Sequence, residues 1–409
     1  MRTAIIGGGA AGLFAACRLA GAGADVVLLE KQNRVGRKLL STGNGRCNLS
    51  NLNASPADYN GDAKYIESAL RALSPEGAMA RFASMGVLCA PDGEGRVYPV
   101  SGQAAGVLDA LRLCAAESGC EIVTEFEVAK LNRRGNRFII ISTDGRTVEA
   151  DFVLVACGGL AAPKLGGCGD GYRLLERFGH EISPRFPAIA AIKTDPAAVR
   201  ALKGIRMRGE IALVCGGREL RREAGEILFG EGAVSGIAAM QLARALNLNA
   251  HKGRDCELLL SFLPGAEPDF IDLRAARLPK RTMEDFLSGI VPKRLGQVLV
   301  RAAGIEKLSL TAAELTPAQR RAIYEKLTGW ALPARGTLGF DQAQVTCGGV
   351  KLDGFDPNTL ESRLAPGLFA AGEVLDVDGD CGGFNLHWAW ASAELAAAEI
   401  LRRCGRIKK

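Results

Sequence analysis

Six residues, Gly7-Gly8-Gly9-Ala10-Ala11-Gly12, constrain the fold more than any other stretch of the chain. They fit the pattern GxGxxG and lie between an apolar run over 2–6, which reads as a buried strand, and an Ala-rich run over 10–22, which reads as a helix. Asp25-Val26-Val27-Leu28-Leu29 follows as a second strand. In such a βαβ start the first glycine makes a tight turn and the second lets the backbone approach a pyrophosphate. The third lets helix and strand pack closely, and the helix N-terminus faces the phosphates. Gly7, Gly9 and Gly12 occupy those three places, with Ala10 and Ala11 in the first helical turn. Glu30 ends the second strand 18 residues after Gly12, where its carboxylate can accept hydrogen bonds from a ribose diol and disfavour a 2′-phosphate. Dinucleotide binding is the expectation.

At 48% hydrophobic and 23% charged residues, the 409-residue chain has the balance of a globular enzyme with more than one domain. No apolar run is long enough to cross a bilayer, and the first residues enter a strand without the features of a signal peptide, so a cytoplasmic protein without a membrane partner is expected. Twelve cysteines without CxxC spacing read as reduced, packed thiols, and with three scattered histidines they make a zinc or iron–sulfur site improbable.

Residues 31–56 read as loop, 61–86 and 102–118 as helical, and 121–131, 136–143 and 147–150 as a small antiparallel sheet. Phe152–Ala156 reads as a strand returning to the parallel sheet. From about 190 the character changes to short strand patterns up to about 263, then helical ones over 269–330. The expected domains are 1–190 and 336–409 as two parts of one cofactor domain, 191–265 as an inserted β-rich domain and 266–335 as an inserted helical segment. Residues 190–335 carry 23 Lys and Arg against 16 Asp and Glu, a net of +7 that accounts for the whole-chain +6. An ordinary solvated surface explains this better than a polyanion-binding face.

The distant pieces distinguish FAD from NAD. Residues 367–390 read as a strand at Leu368–Ala371, a turn at Gly372-Glu373, a loop, and a helix opening at Gly383-Phe384-Asn385. This is the return element that closes a flavin-binding Rossmann domain over the ribityl chain. Glu373 can bind a ribityl hydroxyl or phosphate-side group, and the helix N-terminus at Gly383–Leu386 can point N–H groups at the flavin N1–C2=O edge. Asp376, Asp378 and Asp380 open like a calcium loop. Cys381 stands where that loop needs glycine and His387 where it needs glutamate, so the aspartates are expected to shape and cap the turn. No second strand–GxGxxG–helix is present, so NAD(P)H would bind transiently at the flavin face.

Four blocks carry a resemblance: GRKLLSTGNGRCNLSN (36–51), VACGGLAAPKLGGCGDGYRLLERFGH (155–180), FDQAQVTCGGV (340–350) and AAGEVLDVDGDCGGFNLHWAWAS (370–392). Through them the chain resembles, nearly end to end, the BaiN/RdsA family of NAD(P)/FAD-dependent oxidoreductases. The resemblance implies a Rossmann-like α/β FAD-binding domain built from both chain ends, with a parallel sheet and a small antiparallel sheet. It also implies an inserted β-barrel-like and helical domain. Arg37 and Lys38 can neutralise the pyrophosphate, and Asn44 and Asn48 can bind flavin edges or fix a loop in which Gly45 lets the backbone lie against a ring. Lys31, Ser41, Val128, Ala156, Gly158, Gly159 and Gly349 complete the expected cofactor contacts. Cys47 has two readings, a packed thiol beside the flavin or a proton donor to substrate carbon. The chain departs from the pattern at Gly230 and Glu231, where relatives carry Thr then His or an acid, and at His387, where relatives often have Gln. His387 is either a loop-capping or ribityl-side residue or a proton relay.

Characterised relatives reduce 3-oxo-Δ4 and Δ4,6 bile-acid intermediates or make dihydrouridine in ribosomal RNA. Both reactions reduce a C=C conjugated to a carbonyl, which calls for a donor facing the oxygen and an acid near the α-carbon. Arg46 and Cys47 are the candidates for those roles. The leading expectation is an NAD(P)H-fed flavoenzyme acting on a small enone-like substrate; a ribosomal RNA dihydrouridine synthase and an FAD-dependent amine oxidase are the alternatives. Against RNA, the aromatics of the insert (Phe229, Phe262, Phe270, Phe286, Tyr324, Trp330) are scattered rather than gathered for stacking bases. A steroid requires instead a long apolar cleft.

Overall fold

A computed structural model of the chain describes residues 1–405 and resolves it into two compact units. One runs from Met1 to Arg185 and resumes at Val345; the other is Phe186–Gln344.

The first unit is built on a five-stranded parallel sheet. Its strands are β1 (Arg2–Ile6), β2 (Asp25–Leu29), β5 (Glu121–Val123), β9 (Phe152–Val155) and β10 (Leu368–Ala370), in the order β10-β9-β1-β2-β5. β1, β2, β9 and β10 are almost wholly buried, as expected of parallel strands covered on both faces. α1 (Ala10–Gly21) crosses from β1 to β2, and α4 (Ala104–Glu117) precedes β5. β6 (Val128–Arg134), β7 (Arg137–Ser142) and β8 (Thr147–Ala150) form a separate antiparallel sheet.

The sequence had placed 121–131 in that antiparallel sheet. Glu121–Val123 instead pairs with β2 in parallel, and the chain bends away at Glu125, which has φ +53°, before β6 begins. Three alternating residues do not by themselves choose between the two kinds of sheet.

α1, α2 (Ala63–Ala72), α3 (Pro75–Ser84) and the short strand Ser50–Asn51 pack against α5 (Phe384–Arg403), and Ser50–Asn51 pairs in turn with the hairpin of β3 (Cys89–Pro91) and β4 (Arg96–Pro99). α5 is apolar almost all round and buried along most of its 20 residues. Trp390 anchors it: the indole is fully buried among Phe14 and Phe82, and its Nε1–H donates to the Leu49 carbonyl at 2.9 Å.

The second unit holds a six-stranded antiparallel sheet in the order 192–193, 233–235, 218–229, 206–215, 256–261, 330–333. The chain after the last strand returns to the first, with the Arg335 N–H donating to the Lys193 carbonyl and the Lys193 N–H to the Gly336 carbonyl, so the sheet curls in a barrel-like manner. Helices lie at 270–277, 293–302 and 317–329.

Two expectations for this unit are corrected. Residues 237–251 are helical, not strand, because Ala238, Ala239, Leu242, Ala243 and Leu246 recur with helical spacing in a run of good helix formers. Cys215 and Cys256 sit opposite each other in register and form a disulfide, whereas the other ten cysteines are not disulfide-bonded. A separation of 41 residues hid that pairing. Among the described residues no helix is long and apolar enough to cross a membrane.

Candidate functional site

The turn between β1 and α1 assigns a different task to each glycine. Gly7 has φ +109°, and a Cβ there would sit 2.5 Å from the Ala156 carbonyl oxygen. A Cβ on Gly12 would lie 1.9 Å from the Gly7 carbonyl oxygen, so only glycine lets helix and strand approach this closely. A Cβ on Gly9 would meet nothing within 4 Å. Gly9 is the N-cap of α1 and no side chain caps it, leaving free N–H groups beside open space. Ala10 and Ala11 form the first turn, and Gly372 rests on the Ala11 methyl. Gly158, after Ala156 at the end of β9, has φ +71° and also faces open space.

At the end of β2, Glu30 accepts hydrogen bonds from the N–H groups of Gly8 and Gln32, both at 2.8 Å. Its carboxylate therefore shapes the glycine turn. Lys31 pairs with Asp170 at 3.1 Å, and Val128 begins β6 two residues after Phe126, whose N–H donates to the Glu30 carbonyl.

Residues 36–48 form a wrapped loop. Gly36 has φ +71° with Leu108 where its Cβ would be, and Gly43, Asn44 and Gly45 are consecutive left-handed residues, followed by Cys47 at φ +58°. This backbone pushes Asn44, Gly45 and Arg46 outward while Cys47 turns inward. Ser41 bonds locally to the Lys38 carbonyl.

Two cations are committed to holding the loop. The Arg37 guanidinium donates to Gln32 Oε1 at 2.5 Å and to the Lys164 carbonyl at 3.1 Å, and Lys38 Nζ pairs with Glu373 Oε2 at 2.7 Å. Glu373 Oε1 accepts from the Thr346 N–H at 2.8 Å, and the Thr346 hydroxyl accepts from the N–H groups of Leu160 and Ala161. Gly159 is glycine because a Cβ would lie 2.4 Å from that hydroxyl; Gly349 is hemmed in by the backbone of Leu375. Thr346 ties its own strand to the loop at 160–161 and to the turn at Glu373; it lies inside the quoted block 340–350, but sequence reading gave it no role.

α5 opens at Gly383, with φ +101° and no side-chain cap; a Cβ there would lie 2.3 Å from the Ser50 carbonyl oxygen and 2.7 Å from Asn48 Oδ1. Asn48 Oδ1 is itself buried without a hydrogen-bond partner. Asn385 fixes the preceding loop by bonding both the N–H and the carbonyl of Gly379, Phe384 packs against Tyr59, and Leu386 is half-buried. Asp378 accepts from Asn60 Nδ2 at 3.2 Å, and the Asp380 N–H donates to the Asp58 carbonyl, so the aspartate-rich stretch is a shaped turn. Among the described residues no group of three or more acidic, His or Cys side chains is arranged for a metal. Open space over Gly9 and Gly158, two uncapped helix starts and the orphaned Asn48 oxygen fit an extended dinucleotide with a polar ring edge.

The three catalytic candidates part company. Cys47 is 0% exposed, and burial pushes its thiol up to about 12, only partly opposed by a hydrogen bond with Thr42. His387 is also 0% exposed; Nδ1 bonds Ser50 Oγ at 2.9 Å, and burial pushes its pKa down to about 4 against a smaller upward pull from the Leu73 backbone. Arg46 alone reaches the surface, its guanidinium lying over the Tyr98 ring at 4.7 Å and its Nε–H reaching the Gly43 carbonyl at 3.4 Å. Sequence reading missed Tyr98, having assigned no element between 86 and 102; the alternation Arg96-Val97-Tyr98-Pro99 is the signal that could have shown a strand there.

His180 resembles His387. It is buried, stacked on Phe355, bonded to Ser362 Oγ at 2.9 Å, and pushed down to about 4 by burial. Folded-state values below the unfolded value of about 6.5 mean that the unfolded chain takes up the extra protons. The stability contributed by the two histidines is therefore full above about pH 6.5 and is lost as pH falls towards 4, by roughly 2–3 kcal/mol each. Urea titrations at stepped pH are expected to show this loss, and the pair His180→Gln and His387→Gln to flatten it. A parent profile without slope between pH 6.5 and 4 contradicts it.

The family model described as HI0933-like protein Rossmann domain matches residues 1–399. The chain is 36% identical to 3-dehydro-bile acid delta(4,6)-reductase of Clostridium scindens, over 98% of its own length and 99% of that protein. It is 28% identical to ribosomal RNA dihydrouridine synthase of Haemophilus influenzae, over 98% of each. Among solved structures, 3-ketosteroid delta1-dehydrogenase from Sterolibacterium denitrificans is similar with a TM-score of 0.53 at 13% identity, covering 98% of this chain and 99% of that one. That likeness is one of fold.

Proposed function

The chain belongs to the HI0933-like family, the BaiN/RdsA family that its motifs resemble, and from that premise we propose an FAD-dependent reductase of a C=C bond conjugated to a carbonyl. The substrate class is a 3-oxo-Δ4 or Δ4,6 steroid acid, with NAD(P)H as electron donor. The observation that carries the choice of substrate is the 36% identity, end to end, with a reductase of that chemistry.

When bound, FAD supplies hydride transfer between nicotinamide and substrate carbon. The chain's own residues hold and orient. Gly9, Gly158 and the start of α1 would take the pyrophosphate, Glu30 a ribose, and the start of α5 with Asn48 the polar edge of the ring. Arg37, Lys38 and Glu373 act by holding the loop over these groups, since each already has a partner. Arg46 is exposed and would face the carbonyl oxygen, where negative charge develops. Cys47 and His387, both out of contact with solvent, act through packing, and neither is assigned as proton donor.

Ribosomal RNA is the second reading, on the strength of the 28% relative. The insert gives it limited support, because some of its cations are already matched: Arg222 pairs with Glu210 and Glu219, Lys293 with Glu284 and Asp285, and Lys203 with Glu231.

The test is the visible spectrum of the anaerobic FAD-loaded protein. NADH or NADPH is expected to bleach the flavin band and a 3-oxo-Δ4 steroid acid to restore it. Recovery with a ribosomal RNA fragment but not the steroid moves the substrate to RNA. A band untouched by either nucleotide removes NAD(P)H as donor, and rapid peroxide formation with amines supports an oxidase.

A further inference from the structure

The outer face of the β3–β4 hairpin carries more than its motifs announce. Tyr98 and Ala90 are opposite each other in register, and the Val100 N–H donates to the Leu88 carbonyl at 2.8 Å one step further along. Opposed residues of an antiparallel pair share a face, as do residues two apart on a strand. Leu88, Ala90, Tyr98 and Val100 therefore form one apolar strip, while Val97 and Pro99 point into the core. Leu88 is 70% and Val100 66% exposed, which is unusual for adjacent large apolar side chains.

Arg46 crosses onto this strip from the glycine-rich loop. Its guanidinium lies over the Tyr98 ring, and among the described residues no carboxylate is within ion-pair distance of it. Tyr98 also supports the loop from below, its ring edge 3.6 Å from the place of a Gly43 Cβ. The result is a rigid apolar surface with one positive donor at one end, beside the exposed Asn44 and Gly45.

We propose that this face binds the substrate: Tyr98 positions the Arg46 guanidinium for the carbonyl oxygen, and Leu88 and Val100 bear the apolar body of a polycyclic enone. The proposal rests on the enone-reductase reading and extends it to a positioning residue and a specificity surface. A polycyclic enone is the occupant the surface matches, having a flat apolar body and one acceptor oxygen at its end. A polyanion would need several unpaired cations in a row, and the strip offers only Arg46 among the described residues, since Arg96, two residues before Tyr98 on the same face, is held by Asp92 and Glu94.

The test uses FAD-loaded full-length enzyme. It measures the dissociation constant of a 3-oxo-Δ4 steroid acid from the change in flavin absorbance, together with kcat and KM. Tyr98→Leu is expected to weaken binding about fivefold and to lower kcat/KM at least as much. Tyr98→Phe keeps the ring and is expected to recover both to within about twofold. The pair Leu88→Asp and Val100→Asp is expected to weaken binding about tenfold, with flavin content retained. Tyr98→Leu at the parent level, or Tyr98→Phe as impaired as Tyr98→Leu, overturns the positioning role. A parent enzyme that binds the steroid acid without reducing it overturns the reductase reading alone, and the variants' dissociation constants still decide the inference. A parent that does not bind it overturns both.

Discussion

Replacing Gly9 with alanine is expected to leave the cofactor-free chain as stable as the parent, within about 0.5 kcal/mol, and to weaken FAD binding at least about tenfold. The backbone of Gly9 is extended (φ −81°, ψ −164°), a conformation alanine adopts, and the added methyl meets nothing of the protein. Any penalty must therefore come from a ligand occupying the space above it. Gly12→Ala supplies the contrast. Its methyl would lie 1.9 Å from the Gly7 carbonyl, which is backbone and cannot swing aside, so β1 and α1 must separate at a cost of about 3 kcal/mol or more. Urea denaturation without cofactor and flavin-fluorescence titration with FAD separate the two effects. A Gly9→Ala chain that binds FAD as the parent does would show that no pyrophosphate lies over that glycine.

The second large effect is expected at Trp390. Its fully buried indole touches Phe14 and Phe82 and donates to the Leu49 carbonyl, so Trp390→Ala removes packing and leaves a buried acceptor unpaired. The expected loss is about 3–5 kcal/mol, and Trp390→Phe should recover the packing but not the hydrogen bond, a difference of about 1–3 kcal/mol. Because Leu49 adjoins Asn48, the alanine variant should also purify with less flavin. A urea midpoint close to the parent's would contradict the packing described for α5.

What could be read from the sequence follows the range of the physics involved. The glycine turn, β1, β2, β9, β10 and α5 are set by local periodicity and by residues a few positions apart, and each lies where that pattern put it. The helices at 237–251 were missed because short apolar clusters among Gly- and Arg-rich segments imitate strands until the spacing is counted. The Cys215–Cys256 bond, the Thr346 bridge and the Arg46–Tyr98 stack join residues that only the fold brings together. Burial was the other hidden quantity: Cys47 and Arg46 are neighbours in one motif, yet a left-handed backbone at Cys47 sends one inward and leaves the other in water.

The parallel sheet has an order of assembly built into it. β9 is made early, but its neighbour β10 lies more than two hundred residues later, after the whole of the second unit. At about 5–20 residues per second, the nascent chain carries β9 with one edge unpaired for roughly 10–40 s, and α5 arrives later still. During that interval an apolar strand stands open to other nascent chains, so the yield of folded enzyme should depend on chaperones that shield it and on how fast the ribosome traverses the second unit.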